Sequence, residues 1–231
     1  MAPLVFPFPF TLRPATFLSR PNRFLCRVLR EGEEVLVHLP STGRLAELLR
    51  PGATVWVDWA RAGPRTTGRL VAVGEEELVA VWAGLAEILF AYRRGIPRAG
   101  PPPALPGGGR ADFLWDGTAV EVKGVTLYVE EGAGGRGCEG RIALFPDAPT
   151  ERGRRQVEAL RRVRNQGMSA LLAFELLGGE AEVLRLNETH DPAFAGAVRR
   201  ALQAGVAVLA EAWRIEVDRA LFLGEVPLSL S

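Results

Sequence analysis

Apolar and polar residues alternate in short runs over the first third of the chain, then give way to helix-spaced stripes and continuous apolar runs. Phe24–Leu29 and Val35–Leu39 repeat with a period of two around Glu31-Gly32, the pattern of half-buried strands. Pro40-Ser41-Thr42-Gly43 then turns the chain, and Arg44–Leu49 is read as a short helix capped by Ser41 or Thr42 and stopped by Pro51-Gly52. Thr54–Trp59, Gly68–Val73 and Leu78–Trp82 resume as strands. About five strands with one helix, over residues 15–82, have the make-up of an OB-like β-barrel. Such barrels hold single strands by aromatic stacking and basic flanks. Trp56, Trp59, Arg23 and Arg61 are the candidates for that role, and core packing is the competing role for the two tryptophans.

From Ala83 the periodicity changes. Ala83–Arg93 is a helix, and a Pro- and Gly-rich loop over Gly95–Gly109 leads into a hairpin. Val129–Arg141, rich in Gly and Glu, reads as an inserted flexible loop containing Cys138. In FPDAPTERGRRQVEALRRVRNQG the apolar stripe is Val157, Leu160 and Val163, and Thr150 or Asp147 can cap the start. Ser169–Leu176 and Ala181–Leu186 are strands, Asp191-Pro192 opens a helix that ends at Gly205, and Val206–Ala210 returns as a strand. Hairpin, helix, strand, helix, strand makes an α/β domain with a mixed sheet. The expected division is therefore residues 1–82 as a barrel and 83–231 as the α/β domain.

The hairpin GRADFLWDGTAVEVKGV carries the chemistry. Asp116-Gly117 suits a two-residue primed turn, because Gly accepts the positive φ it requires. Folding the flanks around that turn pairs Trp115 with Thr118, Leu114 with Ala119 and Phe113 with Val120, and places Asp112 opposite Glu121. Lys123 then shares a face with Glu121, opposite Arg110, while Ala111, Phe113, Trp115, Val120 and Val122 form the core face. Opposed Cβ atoms in such a pair lie roughly 4.5–5.5 Å apart and like charges there repel, so two carboxylates beside an ammonium call for a cation. Oxygen ligands suit Mg²⁺ or Mn²⁺, and the arrangement is that of metal-assisted phosphodiester hydrolysis. A surface hairpin with charges on its exposed face is the alternative.

Composition sharpens this picture at one point. Of 28 basic residues in the 231-residue chain, Lys123 is the one lysine. Elsewhere the chain uses arginine, so this position selects a compact ammonium whose pKa can shift over a planar, permanently charged guanidinium. A net charge of +1 gives no global attraction to nucleic acid, so any basic surface is local. The local excess is in the helix after Thr150, where Arg152, Arg154, Arg155, Arg161, Arg162 and Arg164 outnumber two glutamates and can fork onto phosphates. Two distant cysteines make no disulfide framework, and the apolar, proline-broken start MAPLVFPFPFTLRPA is not read as a signal peptide. The expected compartment is the cytoplasm. His38 and His190 are read as a strand-end and a pre-helix turn residue.

The ordered segments RPNRFLCRV, HLPSTGRLAELLRPGATVWV, GRADFLW, AVEVKGVTL and LFPDAPTERGRRQ resemble the sugar fermentation stimulation protein A family, from about residue 12 to the end. The resemblance implies an OB-like domain followed by a domain similar to the PD-(D/E)XK nucleases. Asp112 matches that motif's aspartate, and Glu121 and Lys123 match its E-x-K. It also implies DNA binding, a link to sugar-utilisation genes and a nuclease activity inferred from the fold. Two departures stand out. His38-Leu39-Pro40-Ser41-Thr42-Gly43 replaces a His-Cys-Pro-Asn-Thr-Gly stretch, and the acidic residue usual before Arg-x-Asp-Phe is replaced by PPPALPGGG. Glu87 on the preceding helix is the candidate substitute. Two functions follow: a metal-dependent nuclease using Asp112, Glu121 and Lys123, with Arg23, Arg61, Arg110, Arg152, Arg154 and Arg155 on the nucleic acid, or a non-catalytic DNA-binding regulator.

Overall fold

The computed structural model describes residues 4–41, 43–97, 100–130 and 140–230. Thr42, Cys138 and most of the expected Val129–Arg141 loop lie outside the described residues. The chain opens with β1 (Val5–Pro7) and continues through β2 (Leu12–Asn22), β3 (Leu25–Arg30), β4 (Glu33–His38), β5 (Thr54–Asp58), β6 (Arg69–Val73) and β7 (Val79–Ala80). Strands β2 to β6 run in the order β4-β3-β2-β5-β6 and close through a His38–Arg69 pairing of β4 with β6, giving a five-stranded barrel with β7 appended. Alternation along each strand fills it: Cys26, Val28, Val37, Val55, Val57 and Leu70 are all fully buried. Burial also pushes the Cys26 thiol up to about 11, which leaves it protonated and unreactive at neutral pH.

The segment expected as a helix over Arg44–Leu49 is a turn. Leu45 adopts φ +52, and the Leu48 and Leu49 N–H groups both return to the Leu45 carbonyl. The reason is tertiary. The Leu45 N–H donates to Asp147 Oδ2 at 3.3 Å across the domain boundary. Gly43 lies so close to the same carboxylate that a Cβ there would meet it at 2.5 Å. Side-chain capture of this loop overrides its helical propensity.

The second part of the chain comprises α1 (Gly84–Arg93), β8 (Phe113–Trp115), β9 (Thr118–Val125), β10 (Leu127–Glu130), β11 (Arg141–Phe145), α2 (Glu151–Asn165), β12 (Ser169–Leu176), β13 (Val183–Leu186), α3 (Pro192–Gln203), β14 (Ala207–Ile215), β15 (Arg219–Glu225) and β16 (Leu228–Ser229). A mixed six-stranded sheet runs β1-β15-β14-β12-β9-β8, with β9, β12 and β14 parallel at its centre. A second sheet, β10-β11-β13-β16, flanks it. Helix α1 packs on one face of the large sheet through Leu85, Leu89 and Phe90 against Val120, Val122 and Trp213. Helices α2 and α3 cover the other face through Val157, Leu160, Val163, Phe194 and Val198.

Residues 1–82 are therefore not one unit. Strand β1 leaves the barrel side and pairs antiparallel with β15, from Val5–Leu221 to Pro7–Arg219. The two parts are also stitched by a backbone hydrogen bond from Ala80 to Leu177 and a bridge between Leu78 and Ile215.

One carboxylate organises the helical face. Asp191 caps α3 by accepting the Phe194 N–H at 2.8 Å on Oδ1, and its Oδ2 accepts the Thr150 N–H at 2.7 Å, just where Thr150 caps α2. Both helix starts thus share a buried acid. Asp191→Ala strips both acceptors and is expected to cost about 2–4 kcal/mol. Asp191→Asn, which can accept only through its carbonyl oxygen, should fall between wild type and alanine. Urea unfolding of the three proteins checks the ranking.

Candidate metal and nucleic-acid site

The turn at the hairpin tip has Asp116 at φ +46 and Gly117 at φ +73, the two positive values a primed turn needs. It fixes the register Trp115–Thr118, Leu114–Ala119, Phe113–Val120. There the ladder stops. The Asp112 N–H bonds the Val120 carbonyl, and Asp112 Oδ2 accepts the Val122 N–H at 2.8 Å, so a side chain takes over where the strand would have continued. Asp112 is thus brought beside Glu121 by a carboxylate–backbone contact, not by a ladder pair.

Three other expectations for this hairpin differ. Arg110 does not face Lys123 in the ladder; it bridges to Ala104, and its guanidinium donates to the Pro102 carbonyl at 2.7 Å. Trp115 is 37% exposed, edge-on to Phe90. Ala111 joins the cluster under α2, apart from Val120 and Val122 under α1. Both faces of β9 are covered, which also removes the reading of the hairpin as a charged surface strand.

Glu121 and Lys123 project from β9 toward α2. Glu121 is 2% exposed, and its Oε1 accepts from Lys123 Nζ at 2.6 Å. Lys123 Nζ also donates to Gln156 Oε1 at 2.9 Å. Gln156 follows Arg152 by one helical turn, so both side chains lie on the same strip of α2. Burial lifts the Glu121 carboxyl to about 7; the Lys123 ammonium opposes that shift, the nearby Asp112 carboxylate adds to it, and the Arg152 charge opposes it again. These four groups are therefore one electrostatic unit.

Gln156 was not singled out in the sequence. Its position one turn after Arg152, in a helix whose apolar stripe is Val157, Leu160 and Val163, could have placed it next to that stripe and over the sheet. Glu87 does not join the carboxylates: α1 lies across the opposite face of β9, and no group of three or more His, Cys, Asp or Glu side chains gathers for a metal among the described residues.

The arginines divide. The Arg152 and Arg154 side chains are exposed and make no hydrogen bond or ion pair among the described residues, while Arg155 faces Glu151 at 3.9 Å on an open helix surface. Arg161 and Arg200 share Glu158, and Arg164 holds the Gly205 carbonyl, so these serve the fold. Arg23 lies over the Phe24 ring at the barrel's edge. Arg61 is an exposed residue in the loop between β5 and β6, close enough to Arg69 for their charges to oppose each other. Both tryptophans are half-buried against core side chains: the Trp56 indole also donates to the Gly74 carbonyl, and the Arg30 guanidinium lies 4.4 Å from the Trp59 ring centroid. His38 ends β4, and His190 hydrogen-bonds Asn187 in the turn before α3.

Because the Glu121 pKa is raised on folding, the native state holds a proton that the unfolded chain has lost above pH about 4.3. That contribution to stability is present below pH about 4.3 and disappears as pH rises to about 7. Glu121→Gln, neutral throughout, should gain on wild type over that interval by a few kcal/mol at most and hold a constant difference above it. Thermal melts of both metal-free proteins from pH 4.5 to 8 read this out.

Comparison with known proteins agrees with this architecture. Residues 18–85 match the SfsA N-terminal OB domain, and residues 84–219 match the sugar fermentation stimulation protein RE domain. A sugar fermentation stimulation protein homolog from Saccharolobus solfataricus is 32% identical over 97% of this chain and 88% of its own length. One from Carboxydothermus hydrogenoformans is 38% identical over 91% of this chain and 93% of its own. The structure of Pyrococcus furiosus SfsA in complex with Ca²⁺ superposes with a TM-score of 0.84 over 99% of this chain and all of that one, at 23% identity. No helix among the described residues is long and apolar enough to cross a membrane. The chain belongs to the sugar fermentation stimulation protein family.

Proposed function

We propose that this chain binds nucleic acid, DNA in the first instance, and hydrolyses a phosphodiester at a divalent-metal site on Asp112 and Glu121. The observation that carries the reading is a nearly fully buried carboxylate, Glu121, lifted to about 7 beside a second carboxylate and the chain's one lysine. Perturbation of this kind, from burial plus a charged partner, marks sites of chemistry more often than structural ion pairs on a surface.

The donor set fits a hard ion. One oxygen of Asp112 is committed to the Val122 N–H and one of Glu121 to Lys123, and the second oxygen of each takes no hydrogen bond among the described residues. Mg²⁺ is commonly held by one or two carboxylates with waters and substrate phosphate completing its shell, so two acids suffice for Mg²⁺ or Mn²⁺. The Pyrococcus furiosus relative is described in complex with Ca²⁺, another divalent ion that prefers oxygen. A bound ion would polarise the phosphoryl oxygen and acidify a water. Lys123, fixed between Glu121 and Gln156, keeps a third N–H for the phosphoryl group or the attacking water. Arg152 and Arg154, whose side chains are unpaired among the described residues, would take the flanking phosphates.

A second reading, a DNA-binding regulator without turnover, is favoured by one observation: no third acidic ligand joins the pair among the described residues. Incubating labelled DNA with Mg²⁺ or Mn²⁺ separates the two. Cleavage products support the nuclease reading; salt-sensitive binding with no products supports the regulator. If products form, Lys123→Arg should lower the cleavage rate on the order of 100-fold while leaving DNA affinity nearly unchanged. Equal rates would remove Lys123 from the chemistry.

A further inference from the structure

The turn between β2 and β3 carries a large aromatic side chain that the barrel does not use. Phe24 is 45% exposed, yet its backbone is held: its N–H donates to Asn22 Oδ1 at 2.9 Å and its carbonyl accepts the Leu39 N–H at 2.8 Å. The Arg23 guanidinium lies 5.5 Å from the ring centroid. Beside Leu39, the exposed His38 donates its N–H to the Gly68 carbonyl, so the loop bearing Arg61 closes over the same end of the barrel. An exposed ring on a fixed backbone, with a cation against it, matches what an unstacked base and its phosphate require.

This edge is joined to the carboxylate site. The Arg20 guanidinium donates to the carbonyls of Arg23, Gly43 and Arg44 at 2.9, 3.0 and 2.6 Å, tying the turn to the segment that reaches Asp147 through the Leu45 N–H. Asp147 lies three residues before Thr150, the cap of α2, and Arg152 is in the first turn of that helix. These contacts link the barrel's edge to the segment that leads into α2.

We infer that Phe24, with Arg23, stacks an unpaired nucleobase at the barrel edge, so that the preferred partner is a nucleic acid with a single-stranded segment beside the carboxylate site. The inference rests on the nucleic-acid reading given above and deepens it. The two tryptophans, both half-buried against core side chains, leave this role to the exposed phenylalanine.

Fluorescence anisotropy on the full chain tests it, with a labelled oligothymidylate and a duplex of equal length, in metal-free buffer at two salt concentrations. Loss of one stacked base weakens binding by about tenfold or more. Phe24→Ala should therefore lose about that much affinity for the single strand and little for the duplex. Phe24→Trp should restore it and Phe24→Leu, apolar but without a π-face, should not. Leu29→Ala, an exposed apolar change elsewhere on β3, should be silent. If Phe24→Ala binds the single strand as wild type does, or weakens both ligands equally, the stacking site is wrong and the nucleic-acid reading stands. If wild type shows no salt-dependent binding to either ligand, both fall.

Discussion

A carboxylate nearly sealed under a helix is the constraint on which the second domain's arrangement turns. Glu121 projects from a central strand into the interface with α2, where an isolated anion would be strongly unfavourable. Two responses are built in. The proton is retained up to about neutral pH, and an ammonium is brought within 2.6 Å, itself oriented by Gln156 from above. The helix must therefore lie where Gln156 reaches Lys123, and the acid at Asp191 that holds the starts of α2 and α3 together fixes that position. Folding and the polar centre are coupled through the same helix.

The opposite face of the sheet solves a similar problem differently. Glu175 and Glu211, side by side on β12 and β14, are both fully buried beneath α1. Arg94 forks onto Glu211 with bonds of 3.0 and 2.9 Å, and the Trp213 indole donates to Glu175 Oε2 at 2.6 Å. Burial and the neighbouring Glu211 charge drive the Glu175 carboxyl well above the usual carboxylate range. The remaining Glu175 oxygen has no hydrogen-bond partner among the described residues, and a carboxyl proton directed toward Glu211 would satisfy it. The two acidic pairs on the two faces therefore differ in their partners: one is held by arginine and an indole, the other by lysine and a backbone N–H.

How much of this was legible in the sequence depended on locality. Asp116-Gly117 specified the register of the hairpin, since a two-residue primed turn leaves one pairing for Trp115, Leu114 and Phe113. Ser169–Leu176 declared itself by an uninterrupted apolar run, and α3 by Pro192 at its start and Gly205 after its end. What stayed hidden was set by distant partners. Arg44–Leu49 has a helical composition, but Asp147, about a hundred residues later, holds its backbone as a turn. Strand β1 is three residues with two neighbours of no distinctive pattern, and only β15 makes it a strand. At the site, the nearness of Asp112 to Glu121 was readable from the hairpin register, whereas Gln156 enters only through the packing of α2 over β9. The role of Asp112 Oδ2 as a substitute for a strand's hydrogen bond has no sequence signature at all.

The pairing of β1 with β15 bears on how the protein is made. Synthesis runs from the N-terminal side, so the barrel strands leave the ribosome before β15 and can close among themselves. Strand β1 cannot yet pair: its partners, Leu221, Ala220 and Arg219, emerge only after the barrel and most of the second domain. Until then Phe6, Phe8 and Phe10, which end packed on the second domain's core, travel as an unsatisfied apolar lead on a finished barrel. The pairing of β1 with β15 is thus a clasp that forms only after the elements between them have been made.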